Sequence, residues 1–179
     1  MLTTTRVLAA IALSGTLAGA AFAQPPVAKP GPETKALGYF AGNWKMEGTM
    51  KPSPMGPGGQ FSGSEQCEWW EGGFHLVCHS QGSGPMGPMK NLAIMSYDLA
   101  AKVYTYYAVG NMPQAEYAKG TRQGGVWTFT SELDLGGGKK AQSRFTITET
   151  SPTTYAAKWE LAEGGAMATL MEGKGIKVK

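Results

Sequence analysis

Histidine and cysteine each occur only twice in these 179 residues, and charged residues make up only 16% of the chain. Each scarcity excludes something. The two histidines, His75 and His79, sit four apart in a strand-like run, about 13 Å along a straight strand. One zinc ion holds its ligands at about 2.1 Å, so the pair cannot share a metal, and no metal site is assigned. Neither histidine has an evident Ser or Asp partner, and no Gly-x-Ser-x-Gly is present, so no catalytic residue is assigned. Glu65, Glu68 and Glu71 lie in one region without a recognisable acid/base spacing. The formal net charge is +3 with scattered lysines, which is too weak for a nucleic-acid partner. A glycine-rich LGGGKK at 135–140 follows no strand-to-helix unit and reads as a hairpin turn, not a phosphate loop. No cofactor is implied. Beyond the first two dozen residues there is no long apolar run, which predicts no membrane span in the mature chain.

The N-terminus is different in kind. Met1–Arg6 is short with one positive charge, Val7–Ala23 is small or apolar, and Ala21-Phe22-Ala23 forms a small-x-small end. This pattern predicts a signal peptide over 1–23, cleaved before Gln24, and therefore a periplasmic or secreted protein. Residues 24–31, QPPVAKPG, carry three prolines and no apolar pattern and read as a disordered linker. About 156 residues follow the cleavage site, enough for one domain with one core, here placed at 32–179. It opens on PETKALGYF, where Pro32 and Glu33 in the first turn predict a short helix that stops by Gly42.

From Gly42 onward the abundant residues decide the class. Twenty-six glycines and eleven prolines mark many turns, and Thr, Tyr, Trp and Val fill the runs between them. Ten strands are expected, near 43–50, 60–71, 74–82, 90–98, 102–109, 114–119, 125–134, 140–149, 154–162 and 166–172. Trp127, Phe129, Ser131 and Leu133 share one parity; Phe145 and Ile147 oppose Arg144, Thr146 and Thr148; Tyr155, Ala157, Trp159 and Leu161 oppose Lys158 and Glu160. Such alternation means one buried and one wet face. Short connections imply sequential antiparallel neighbours. The expected fold is an all-β, antiparallel up-and-down barrel of 8–10 strands with a short N-terminal helix, since closure removes the exposed edges.

The run CEWWEGGFHLVC places Cys67 and Cys78 symmetrically about Gly72-Gly73. A two-residue turn there would make them a hydrogen-bonded pair with Cα atoms about 5.5 Å apart, within disulfide range. In an exported chain this reads as a structural disulfide; the alternative, a metal or redox pair, lacks the Cys-x-x-Cys spacing. The same register puts Cys67, Trp69, Phe74, Leu76 and Cys78 on the inner face and His75, Val77 and His79 on the outer.

Phe40-Ala41-Gly42-Asn43-Trp44 resembles the Gly-x-Trp opening of lipocalin-like, or calycin, barrels. MSYDLAAKVYTYY at 95–107, GTRQGGVWTF at 120–129 and SRFTITETSPTTYAAKWEL at 143–161 look like segments of an exported bacterial domain-of-unknown-function family with that fold. The resemblance covers about residues 36–172. It implies a small-ligand-binding shape and carries over no catalytic residue. Related haem-binding barrels use a late histidine, and this chain has none after His79.

Barrel topology also locates a repeated tetrapeptide. Pro-Met-Gly-Pro occurs at 54–57 and at 85–88, and Asn111-Met112-Pro113 is similar. Loops after the first, third and fifth strands share the end opposite the helix, so Met55, Met86, Met89 and Met112 are expected at one rim. Three roles stay open for that rim: packing, a flexible apolar lip over a ligand cavity, or soft-metal capture of Cu(I) by thioethers. Tyr107, Trp127, Phe129 and Trp159 are the expected interior lining. The leading functional expectation is non-covalent binding of a small hydrophobic or aromatic molecule. The alternatives are a periplasmic Cu(I)-binding protein and a structural module with a filled barrel.

Overall fold

A short helical segment followed by ten strands accounts for the chain in the computed structural model, which describes residues 29–53, 56–111 and 114–179. The expected signal peptide and most of the expected linker lie outside the described residues, as do Met55 and Met112. Helix α1 (Pro32–Ala36) begins on proline, whose fixed φ suits a first helical turn, and a 3₁₀ turn, Leu37–Tyr39, extends it. Strands β1 (Gly42–Met50), β2 (Gly59–Trp69), β3 (His75–Gly84), β4 (Gly87–Asp98) and β5 (Val103–Gly110) form the first half of the wall. Strands β6 (Glu116–Gln123), β7 (Val126–Gly136), β8 (Lys139–Ser151), β9 (Thr154–Ala162) and β10 (Ala168–Val178) complete it. Each strand pairs antiparallel with its sequence neighbour, and β10 returns to β1, giving a closed up-and-down barrel. The ten expected strands are all present.

The helical segment closes the end where β1 starts. Phe40 and Trp127 rings meet at 4.9 Å, Tyr104 meets Trp127 at 4.9 Å, and Trp44 meets Tyr155 at 5.0 Å. Their polar atoms are partnered: Trp44 Nε1 donates to Phe40 O at 2.8 Å, and Tyr39 Oη donates to Thr154 O at 2.7 Å. Lys177 Nζ lies 4.9 Å from the Trp44 ring and donates to Tyr39 O at 2.9 Å. Glu149 accepts hydrogen bonds from Arg122 and from Trp127 Nε1. This end is a packed aromatic plug with its donors satisfied, as buried polar groups require.

At the other end the two Pro-Met-Gly-Pro turns touch, as the meander requires. A methyl group placed on Gly56 would lie 3.1 Å from Met86 Sδ, and one on Gly59 3.0 Å from Pro85. Asn111, in the third loop, donates from Nδ2 to Pro88 O at 2.9 Å and accepts from Lys90 N at 2.9 Å.

The hairpin with the cysteines differs from expectation in its loop. The register is the expected one, Cys67 opposite Cys78, and the two are joined as a disulfide. The loop, however, contains four residues, Glu71–Phe74, because Trp70 N bonds His75 O at 2.8 Å. Lengthening the loop from two residues to four shifts the alternation by one pair. Cys67 and Cys78 therefore occupy a non-hydrogen-bonded position, with Cα atoms 4.0 Å apart, where side chains approach more closely. Gly72 and Gly73 have φ of +86° and +74°, which glycine adopts without a Cβ clash.

Candidate functional site

Alternation along the strands decides what the barrel encloses. Inward positions on β1 to β3 run Trp44, Met46, Gly48; Cys67, Glu65, Gly63; and Leu76, Cys78, Ser80, Gly82. Near the helix these are large and fill the plug. Farther along, glycine replaces them and the strands close in on one another. A methyl group on Gly48 would lie 2.3 Å from Glu172 O, and one on Gly63 would lie 2.7 Å from Gln81 O. Between plug and rim lies a cavity of about 360 Å³, within the roughly 300–1,000 Å³ typical of small-molecule sites.

Phe40 lies between the cavity and the plug, touching both. Met46, Met95 and Met171 and the rings of Phe129, Phe145, Trp159, Tyr106 and Tyr155 supply most of the wall. Trp159 is oriented by a hydrogen bond from Nε1 to Ser143 Oγ at 2.8 Å. Into this apolar surface project two carboxyl groups, Glu65 from β2 and Glu116 from β6. Glu65 shares the inward parity of Cys67, and a carboxylate oxygen lies within 4.8 Å of both cysteine sulfurs. Burial raises its pKa to about 7, because an anion there loses hydration that no cation replaces. Burial also raises Glu116; the nearby Ser131 hydroxyl acts in the opposite sense, though it stands outside hydrogen-bonding geometry. Tyr106 is pushed above the ordinary phenol range by burial, then by Glu116 and Glu65. Tyr155 is raised by burial, then by Glu65 and Tyr39. Tyr106 thus senses both acids. Glu65, Cys67 and Cys78 also form the one grouping of three metal-type ligands among the described residues, with both sulfurs bonded to each other.

Of the expected lining, Phe129 and Trp159 stand in the cavity wall. Trp127 is fully buried but belongs to the plug beneath Phe40. Tyr107 requires a correction: it faces outward and is 45% exposed, while its neighbour Tyr106 takes the inward place. The run Tyr104-Thr105-Tyr106-Tyr107 carries aromatics on both parities, so composition alone does not choose the inner face. Tyr107 joins an outward row with Val77, Ile94 and Tyr117 across β3 to β6. Trp69, expected inside, is 38% exposed at the end of β2, where its ring reaches Gly38. Met86 is exposed at the rim, whereas Met89 has the inward parity of Ala93 and Met95. His75 and His79 are on the outer face, and His75 Nδ1 meets Ser96 Oγ at 2.7 Å.

The acids Glu65 and Glu116 were missed because acids are expected in water. A signal existed: Glu65 is two residues from the inward Cys67 and therefore on its face.

Among solved structures, the chain is similar to the crystal structure of Rv2717c from M. tuberculosis, with a TM-score of 0.57. Identity is 11%, and the match covers 83% of this chain and 99% of that one. At that identity the likeness concerns the fold. No curated protein is significantly similar in sequence. Residues 29–177 match the family model described as protein of unknown function DUF1579, and the chain belongs to that family.

Proposed function

We propose that this protein is an exported binding barrel that takes up one small, largely apolar or aromatic molecule non-covalently in its interior. The observation that carries this is the cavity of about 360 Å³, walled by aromatic rings and methionines inside a closed barrel. An apolar wall with a few convergent polar groups is the usual composition of a ligand site. The unfilled interior argues against a structural module with a solid barrel. The Cys67–Cys78 disulfide is compatible with work in the periplasm or outside the cell, where such bonds persist. In this reading the rim turns, with Met86 against Gly56, act as an adaptable lip.

The test is titration with N-phenyl-1-naphthylamine, an uncharged fluorescent aromatic, alongside native mass spectrometry of the purified protein. Saturable uptake at one site, lost in Trp159→Ala and retained in Tyr107→Ala, is the expected outcome. Absence of saturable uptake, together with a mass spectrum showing only the bare chain, overturns the binding role.

A further inference from the structure

Resting on that binding reading, we infer that the interior selects a cationic amine: a ligand with an aromatic or aliphatic body and a protonated amino head seated between Glu65 and Glu116. Among the described residues, the cavity wall contains these two carboxyl groups and no Lys, Arg or His. Four basic side chains of the barrel are engaged away from it. Arg144 and Lys158 bind Glu160 on the outer wall. Arg122 binds Glu149 at the plug, and Lys177 caps Tyr39 and Trp44. A fatty acid or other anion would enter beside two carboxyl groups with no base to neutralise it, and ionisation of either would set like charges together in a low-dielectric site. An ammonium group supplies the missing counter-charge. It donates charge-assisted hydrogen bonds to the carboxylates and rests against ring faces of Tyr106, Phe129 or Trp159, an arrangement that favours cations.

Glu65 is the second, independent sign of a ligand. It is half-buried, lines the cavity, and makes no hydrogen bond among the described residues. Each neighbouring element leaves it without a cation. On β1, Trp44 stands opposite and Met46 lines the same wall; on β3, Ser80 stands opposite and Cys78 is tied in the disulfide. The other titratable groups facing the cavity are Tyr106, Tyr155 and Glu116. A carboxyl group left unpaired in such a wall is destabilising unless something binds it. Amine binding ionises it: the Glu65 proton leaves to solvent, and the ammonium–carboxylate pair remains.

Three isosteric probes separate the possibilities by calorimetry at pH 7: 1-naphthylmethylamine, 1-naphthalenemethanol and 1-naphthoic acid. The amine should bind about 10- to 100-fold more tightly than the alcohol, the increment of a hydrogen bond to a charged partner. The acid should bind most weakly. Binding of the amine should release protons, read as a heat that changes with the ionisation enthalpy of the buffer. Glu65→Gln and Glu116→Gln should each reduce amine affinity more than alcohol affinity, narrowing the amine-over-alcohol ratio, with near-ultraviolet circular dichroism verifying the fold. If the alcohol or the acid binds as tightly as the amine, the amine preference is wrong and the binding barrel stands. If none of the three binds, and the uncharged fluorescent probe also fails, both readings fall.

Discussion

A carboxylate oxygen of Glu65 lies within 4.8 Å of the Cys78 sulfur, the two side chains projecting inward from adjacent strands. An ionisable group and a covalent cross-link thus share one wall of the interior. The disulfide ties β2 to β3 two residues along from the carboxyl group.

Glu65 should make the protein less stable as pH rises. Its folded pKa of about 7 exceeds the ordinary 4.5, so between these values the unfolded chain has released a proton that the folded chain retains. Stability therefore falls with rising pH across this window and levels above it. The contribution is on the order of 3 kcal/mol at pH 8. Urea midpoints for wild type and Glu65→Gln, taken from pH 4.5 to 8, should diverge, with the variant more stable at the alkaline end. Parallel curves would show that Glu65 is hydrated and ordinary.

Replacing both Cys67 and Cys78 by Ala should lower stability by about 3 kcal/mol, since the bridge closes a short loop in the unfolded chain. Equilibrium unfolding of the double variant, beside wild type with and without a reducing agent, measures it. Equal stability of reduced and oxidised protein would contradict a structural role.

Adjacent tyrosines should behave oppositely. Tyr106→Ala removes an inward ring from the cavity wall and should destabilise by about 3–5 kcal/mol, as large aromatic truncations do, while altering probe uptake. Tyr107→Ala removes a ring that is 45% exposed, should cost about 1 kcal/mol or less, and should leave uptake intact. Denaturant curves and probe titrations on both variants check the inward and outward placements together.

Gly48→Ala should be destabilising by about 1–3 kcal/mol or more, the range for overpacking. The added methyl would meet Glu172 O at 2.3 Å and the Phe61 ring at 2.6 Å, and backbone atoms of β10 cannot swing aside as a side chain does. Gly136→Ala makes a useful contrast. It has open space around it but a φ of +82°, so its cost is conformational rather than steric. Thermal unfolding of the two variants, with probe uptake measured alongside, separates wall closure from turn strain.

Much of the fold was legible because period-two alternation is written in the chain itself. Trp127-x-Phe129-x-Ser131-x-Leu133 can face inward as a set or outward as a set, and only the inward choice buries its rings. The same rule predicted the cysteine register from Gly72-Gly73. It failed on pairing type, because loop length depends on which backbone groups close the ladder, and Trp70 bonds His75. It also failed at Tyr107, where aromatics on both faces leave the inner side undetermined.

By itself the sequence determined the class of fold, a strand count of eight to ten, the end closed by the helix and the meeting of the two Pro-Met-Gly-Pro turns. These follow from local periodicity, turn chemistry and the parity of successive strands. Only the tertiary structure decided that Glu65 on β2 and Glu116 on β6 face one cavity, with no Lys, Arg or His beside them among the described residues. Fifty residues separate these acids, and nothing local relates them. Closure of β10 onto β1 encloses them together, and the burial that results gives two otherwise ordinary glutamates their altered proton affinity.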